Sequence, residues 1–94
     1  MKQIRIDGRN VDSLADIHSI FSRTLDFPVS YGRNMDALYD CLTDVSEDVT
    51  VQIVHREELY ETIGRYEKIL IRVLRDATKV NDHILLDIEE ETEE

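Results

Sequence analysis

Asp36, Tyr39, Asp40 and Thr43 stand at helical spacing within the stretch Ser30-Tyr-Gly-Arg-Asn-Met-Asp-Ala-Leu-Tyr-Asp-Cys-Leu-Thr43. At about 100° of rotation per residue they share one side of a helix, within roughly a third of a turn. Two carboxylates around an aromatic ring admit three kinds of chemistry. They can run acid–base catalysis, but only in a cleft that holds a substrate and shifts one pKa. They can join a calcium site, which takes six or more oxygens from a loop that wraps the ion. Or they can accept bidentate hydrogen bonds from arginine while the ring supplies rigid contact area, which is protein recognition. A chain of 94 residues is one domain, with room for one core and one surface but little mass to wall a cleft. Recognition therefore stands against a plainer reading, solvated carboxylates beside a half-covered core tyrosine, which spacing alone fits as well.

The other reactive side chains do not form a catalytic set. His18, His55 and His83 fall on a helix, a strand end and a strand start. His55 and Glu58 are three apart, as in a metal pair, but no third ligand stands near them in sequence. Cys41, the single cysteine, lies on the apolar side of the same helix as Asp36 and reads as a buried thiol. A lone cysteine also argues for a reducing compartment. The chain has no phosphate-binding glycine loop, nucleophile elbow, Cys-x-x-Cys or His-Glu-x-x-His motif. The expectation is a protein without catalytic activity or cofactor.

Charge narrows the partners. The formal net charge is −10, and five of the 21 acidic residues lie in the last six positions. Nucleic acid and anionic membrane surfaces both call for a positive patch, so neither is expected as a partner. A basic protein is the natural complement, because opposite fields steer encounter. No apolar run is long enough to span a bilayer, and the first residues lack the apolar core of a signal peptide, so a cytoplasmic location is expected.

The elements that must hold this face follow from periodicity. Residues 2–7 alternate, with Ile4 and Ile6 on one side, as in a half-buried strand. Ser13 to Asp16 resembles a capping box, and Leu14, Ile17, Phe21 and Leu25 continue a helix over about 12–25. Asp26-Phe-Pro28 ends it. Asn34 is a plausible N-cap for the central helix, about 34–42, whose first turn gains Asp36. Residues 44–48 are a polar loop, and 49–55 a second strand rich in valine. A short helix over 56–63 ends at Gly64. A longer one, 66–80, carries an apolar stripe of Tyr66, Ile69, Leu70, Val73, Leu74, Ala77 and Val80, and a basic stripe of Arg65, Lys68, Arg72, Arg75 and Lys79. Ile71 falls off the apolar stripe and is expected to be exposed. Residues 83–88 form a third strand, so one domain over 1–88 is followed by an acidic tail over 89–94. The order β-α-α-β-α-α-β predicts an α/β domain with a three-stranded parallel sheet.

The stretch Tyr31-Gly-Arg-Asn-Met-Asp-Ala-Leu-Tyr-Asp-Cys-Leu-Thr43 closely resembles the signature of the barstar family, Tyr-Gly-x-Asn-Leu-Asp-Ala-Leu-Trp-Asp-Cys-Leu-Thr. Asp16, His18, Pro28 and the Leu74-Arg-Asp-Ala77 segment also fall where that family would place them. These proteins are small cytoplasmic inhibitors of secreted bacterial ribonucleases such as barnase. The resemblance implies a barstar-like fold of three parallel strands and about four helices. It implies that the acidic helix and its preceding loop enter the ribonuclease active site, where carboxylates replace the substrate's phosphates. By motif, Asp40 would be the central phosphate mimic, Asp36 would contact groups at the cleft edge, and Tyr39 would pack on the partner. Tyr31, Gly32, Asn34 and Thr43 would complete the surface, with Asp76 pairing a basic residue at its periphery. The same fold could also serve a partner that is not a ribonuclease, and a monomer is the favoured state.

The chain departs from the family pattern at several points. Ser30 stands where the first of two tyrosines is usual, Tyr39 where tryptophan is, and Asp44-Val45 where another tryptophan is. Arg33 replaces a residue that is acidic in the best-known member, and so would place positive charge on a surface meant for a basic enzyme. These changes imply a retained fold and strategy, with a different cognate enzyme or weaker binding to barnase.

Overall fold

The computed structural model describes residues 1–89. Its elements are β1 (Lys2–Asp7), a 3-10 turn (Gly8–Asn10), α1 (Leu14–Leu25), α2 (Met35–Thr43), β2 (Val49–Val54), α3 (Arg56–Ile63), α4 (Tyr66–Val80) and β3 (Ile84–Ile88). The strands lie in the order β1-β2-β3 and both pairings are parallel, with Ile4 opposite Val51 and Val51 opposite Leu86. The α/β architecture is the one that the alternation of elements predicts. Among the described residues no helix is long and apolar enough to cross a membrane.

The core sits on one face of this sheet. Ile4, Ile6, Val49, Val51, Ile53 and Ile84 are buried there against Ile17 and Phe21 of α1, Leu38 and Leu42 of α2, and Leu70 and Leu74 of α4. Gln3, Arg5, Leu85 and Asp87 project from the other face and are exposed. Two crossovers of the usual right hand, both stepping in the same direction across a sheet, lay their helices on the same side. Three strands in sequential order therefore leave one face open, where most parallel sheets are covered on both.

Local chemistry sets the element ends. Ser13 caps α1, its hydroxyl accepting from Asp16 N, so the helix proper begins two residues later than its pattern suggests. The Asp16 carboxylate reaches back to Asp12 N at 2.8 Å rather than to the cap residue's own N–H. Asp26 closes α1 in the left-handed region, φ 55°. At Gly8 a Cβ would lie 2.0 Å from His55 O and 2.5 Å from Leu59 N, so only glycine lets the turn after β1 meet α3. Glu89, assigned by composition to the acidic tail, is engaged with the sheet. Its N–H donates to Ile53 O at 2.9 Å, and its carboxylate accepts from His55 N at 2.7 Å. The rest of the tail, residues 90–94, lies outside the described residues.

Helix α4 is rotated relative to the stripe read from its sequence. Its buried residues are Glu67, Leu70, Ile71, Leu74 and Ala77. Ile71 is 5% exposed, contrary to expectation, while Val80 is 64% exposed. The buried face includes Glu67, a charged residue in a core position. It is 0% exposed, and its Oε2 accepts from Arg56 Nε at 2.7 Å. A buried carboxylate is tolerated only with such a partner.

Asn81, directly after α4, makes three buried or half-buried hydrogen bonds. Its Nδ2 donates to Leu42 O and Val45 O at 2.9 Å each, and its Oδ1 accepts from His83 N at 2.9 Å. One side chain thus fastens the end of α2 to the start of β3. Asn81→Ala removes partners that no water can readily replace, and should lower stability by about 3 kcal/mol in urea unfolding. The exposed Asp82→Ala should stay within about 0.5 kcal/mol of the parent.

Candidate protein-binding site

Helix α2 is short, and its ends are both held. Asn34 Oδ1 accepts from Ala37 N at 2.8 Å, and Asn34 O accepts from Leu38 N at 2.9 Å, so the N-cap is made by side chain and backbone together. At the other end Thr43 Oγ1 donates to Asp40 O at 2.8 Å, beyond which Asn81 takes over. Leu38 and Leu42 are fully buried, Met35, Tyr39 and Cys41 are half-buried, and Asp36 and Asp40 are exposed. The two-faced helix read from the spacing is the one that forms.

That outer face borders a groove of about 450 Å³ between α2 and α4, lined by Met35, Asp36, Tyr39, Asp40, Arg72, Val73 and Asp76. The structure therefore brings Asp36, Tyr39, Asp40 and Asp76 together, from two helices about 40 residues apart in sequence. Among the described residues neither the Asp36 nor the Asp40 carboxylate has a hydrogen bond or ion pair. Asp76 lies 3.7 Å from Lys79 Nζ, an exposed pair of little strength. Half-buried Tyr39 and Val73 give the groove an apolar wall beside its charges.

Tyr31, Gly32, Asn34 and Thr43 do not line this groove. Tyr31 is turned inward. Its hydroxyl shares a 2.6 Å hydrogen bond with His18 Nδ1, and its ring stands edge-on to Phe27 at 4.9 Å between centroids. Burial pushes its pKa up to about 12. The left-handed residue of the loop is Arg33, φ 55°, and not Gly32. Space around Gly32 would admit a Cβ at 3.4 Å from Asn34 Nδ2. The Arg33 guanidinium turns back onto α1, donating to Ala15 O at 3.0 Å and Ser19 Oγ at 2.9 Å. It holds the loop while staying exposed, on the surface where the resemblance implies a positive charge. Cys41 borders a separate depression with Leu25, Phe27 and Val45, and burial followed by the Asp44 and Asp40 charges pushes its thiol pKa up, which makes it a poor nucleophile.

Three site features escape sequence reading. Arg72 and Val73 join the groove because α4 lies beside α2, a tertiary fact. His18 reads as an unremarkable helix residue but is 3% exposed, and its Nε2 has no hydrogen-bond partner among the described residues. The available signal was its position one residue after Ile17 on the core side of α1.

A parallel sheet of three strands, helices on one face and a carboxylate-lined groove between α2 and α4 describe a small α/β protein. The chain belongs to the barstar family: the family model described as "Barstar (barnase inhibitor)" matches residues 1–90. It is also similar to a Bacillus subtilis (strain 168) protein named "Putative ribonuclease inhibitor YrdF", with 37% identity over 78 residues, 82% of this chain and 86% of that one. The family is one of inhibitors, not enzymes, and these relationships support a barnase-inhibitor-like role.

His18 gives the loop a pH dependence. Burial, then the Arg33 charge, lowers its pKa from 6.5. The unfolded chain therefore takes up this proton at a higher pH than the folded one. Below pH 6.5 the unfolded state holds more protons, so stability falls as pH falls, until the folded-state pKa is passed. Thermal melts between about pH 8 and about pH 5 should show this loss, and His18→Gln should flatten it.

Proposed function

We propose that this protein inhibits a basic ribonuclease by seating α2 in the enzyme's active-site cleft, with Asp36 and Asp40 where RNA phosphates would lie. The observation that carries this reading is the pair of exposed carboxylates, without internal partners, flanking Tyr39 on one groove. A carboxylate already committed to an internal cation would have to break that contact to bind. Among the described residues Asp36 and Asp40 have no such contact to give up.

In this reading Asp40 is the central phosphate mimic, gripped by arginine and other donors at the cleft floor. Asp36 meets groups at the edge, Tyr39 packs against the enzyme, and Asp76 exchanges Lys79 for a basic residue of the partner. Gly32 and Asn34 shape the approach to α2, Thr43 closes its last turn, and Tyr31 anchors the loop. The net charge of −10 speeds encounter with a basic enzyme. A cytoplasmic site of action fits this role, since it would silence a secreted nuclease before export.

Titration of the protein against barnase and other basic ribonucleases, at low and moderate salt, tests the reading. Inhibition should weaken as salt rises. Truncating one member of an interfacial charge pair costs about 2–5 kcal/mol, a range to which barnase–barstar itself contributes. Asp40→Ala should therefore weaken inhibition about a hundredfold, while its melting temperature stays near the parent's because the side chain is exposed and unpaired. A steep fall in stability would make Asp40 a structural residue. A protein that inhibits no ribonuclease would end the proposal.

A further inference from the structure

Five of the chain's 11 lysines and arginines lie between Arg65 and Lys79. Arg65, Lys68, Arg72, Arg75 and Lys79 recur every three or four residues, so they form one column within roughly a quarter of a turn of α4. All five are exposed. The helix has two acids: Glu67 is buried against Arg56, and Asp76 lies 3.7 Å from Lys79. Among the described residues Arg65, Lys68, Arg72 and Arg75 have no ion pair, although Arg65 lies over the Tyr66 ring at 5.5 Å. Like charges at these spacings repel one another and weaken a helix. Arg72 lines the groove with α2, whereas Arg65, Lys68 and Arg75 do not. These three make a positive patch outside the acidic groove, on a chain of net charge −10.

The densest run of acids in the chain is its tail. Glu90, Glu91, Glu93 and Glu94 fall in the five residues beyond the described ones. The place from which those residues start is fixed. Arg56 donates to Glu67 Oε2 at 2.7 Å and to Glu89 O at 3.4 Å, so Glu89 stands beside the first turn of α4, the turn that carries Lys68. Arg75 borders a depression of about 400 Å³ with Leu86, Asp87 and Ile88, the last residues of β3. Five extended residues span about 17 Å, and α4 advances about 10 Å from Lys68 to Arg75. The patch is therefore within reach of the tail. Tethering also gives the tail a high effective concentration there, which a separate acidic molecule lacks.

We propose that residues 90–94 dock across Arg65, Lys68 and Arg75 of their own chain and close this patch to external polyanions such as RNA. A basic patch attracts phosphate backbones without regard to sequence. The tail competes for the same cations with carboxylates. Each contact is an exposed ion pair, weak alone and screened by salt, so the tail is a reversible cover.

Amide NMR at low salt tests the contact by comparing the full chain with a variant carrying Glu90→Gln, Glu91→Gln, Glu93→Gln and Glu94→Gln. The signals of Arg65, Lys68 and Arg75 should differ between the two, and added salt should bring the parent's signals to the variant's positions. The same spectra show whether each protein is folded. Differences that grow with protein concentration would assign the contact to the tail of a second copy and overturn the proposal. Differences confined to residues 53–56 and 87–89 would also overturn it, because the tail would then stay beside the sheet. Fluorescence anisotropy with a short labelled oligouridylate tests the cover. The variant should bind this RNA about tenfold more tightly than the parent, and adding Lys68→Gln and Arg75→Gln should cancel that gain. Equal binding by parent and variant, or a gain that survives the loss of both cations, would refute the shielding role.

Discussion

The amide of Asn81 is the constraint on which the presented surface depends. A helix as short as α2 is marginal in water, because few intrahelical bonds repay the cost of its nucleus. Its last carbonyls accept from Thr43 Oγ1, Asp44 N and Val45 N close by in the chain. Asn81 adds donors to Leu42 O and Val45 O from the far side of the core, and in the same stroke holds His83, the residue just before β3. At the opposite end the loop before α2 is tied to α1 by Tyr31 on His18 and by Arg33 on Ala15 and Ser19. The acidic face is thus carried by a helix fixed at both ends to different parts of the scaffold. A carboxylate held in place before binding loses less entropy when it binds.

Charge is placed in this fold by a simple division. Where a charge enters the core it is matched at once, as Glu67 is by Arg56 at 2.7 Å. Of the carboxylates facing the groove, Asp36 and Asp40 are left unmatched among the described residues, and Asp76 meets only exposed Lys79. The two situations differ in solvent. A buried unmatched carboxylate is expensive, whereas an exposed one costs little until a partner strips its water away. The protein can therefore hold bare carboxylates ready for a cationic surface without losing stability to keep them.

Much of this was legible in the residues. Alternation in β1 and β2, the proline stop after α1, the Asn34 cap and the glycine after α3 are local signals, and the elements they imply are the ones that form. The face with Asp36, Tyr39 and Asp40 follows from helical spacing alone. What was not legible depends on neighbours. The buried face of α4 takes in Glu67, and no local signal announces that a glutamate will be paired by an arginine eleven positions earlier. Arg33 is the surface charge expected, and α1 also offers it two acceptors. The inclusion of Arg72 in the groove requires knowing that α4 lies beside α2, and Asp76 entered the expected surface through family resemblance, not through spacing.

The register of the sheet has a bearing on how the site comes into being. Lys2 pairs with Val49, so the first contact of the sheet joins the beginning of the chain to its middle, and α1 and α2 lie wholly inside the segment that this pairing closes. Parallel pairing across such a separation carries a loop-closure cost before any contact rewards it, and slows folding relative to a bundle of local contacts. Asn81, which locks α2, belongs to the second half of the chain. The acidic face has no local folding unit of its own. It is completed by contacts from both halves of the polypeptide.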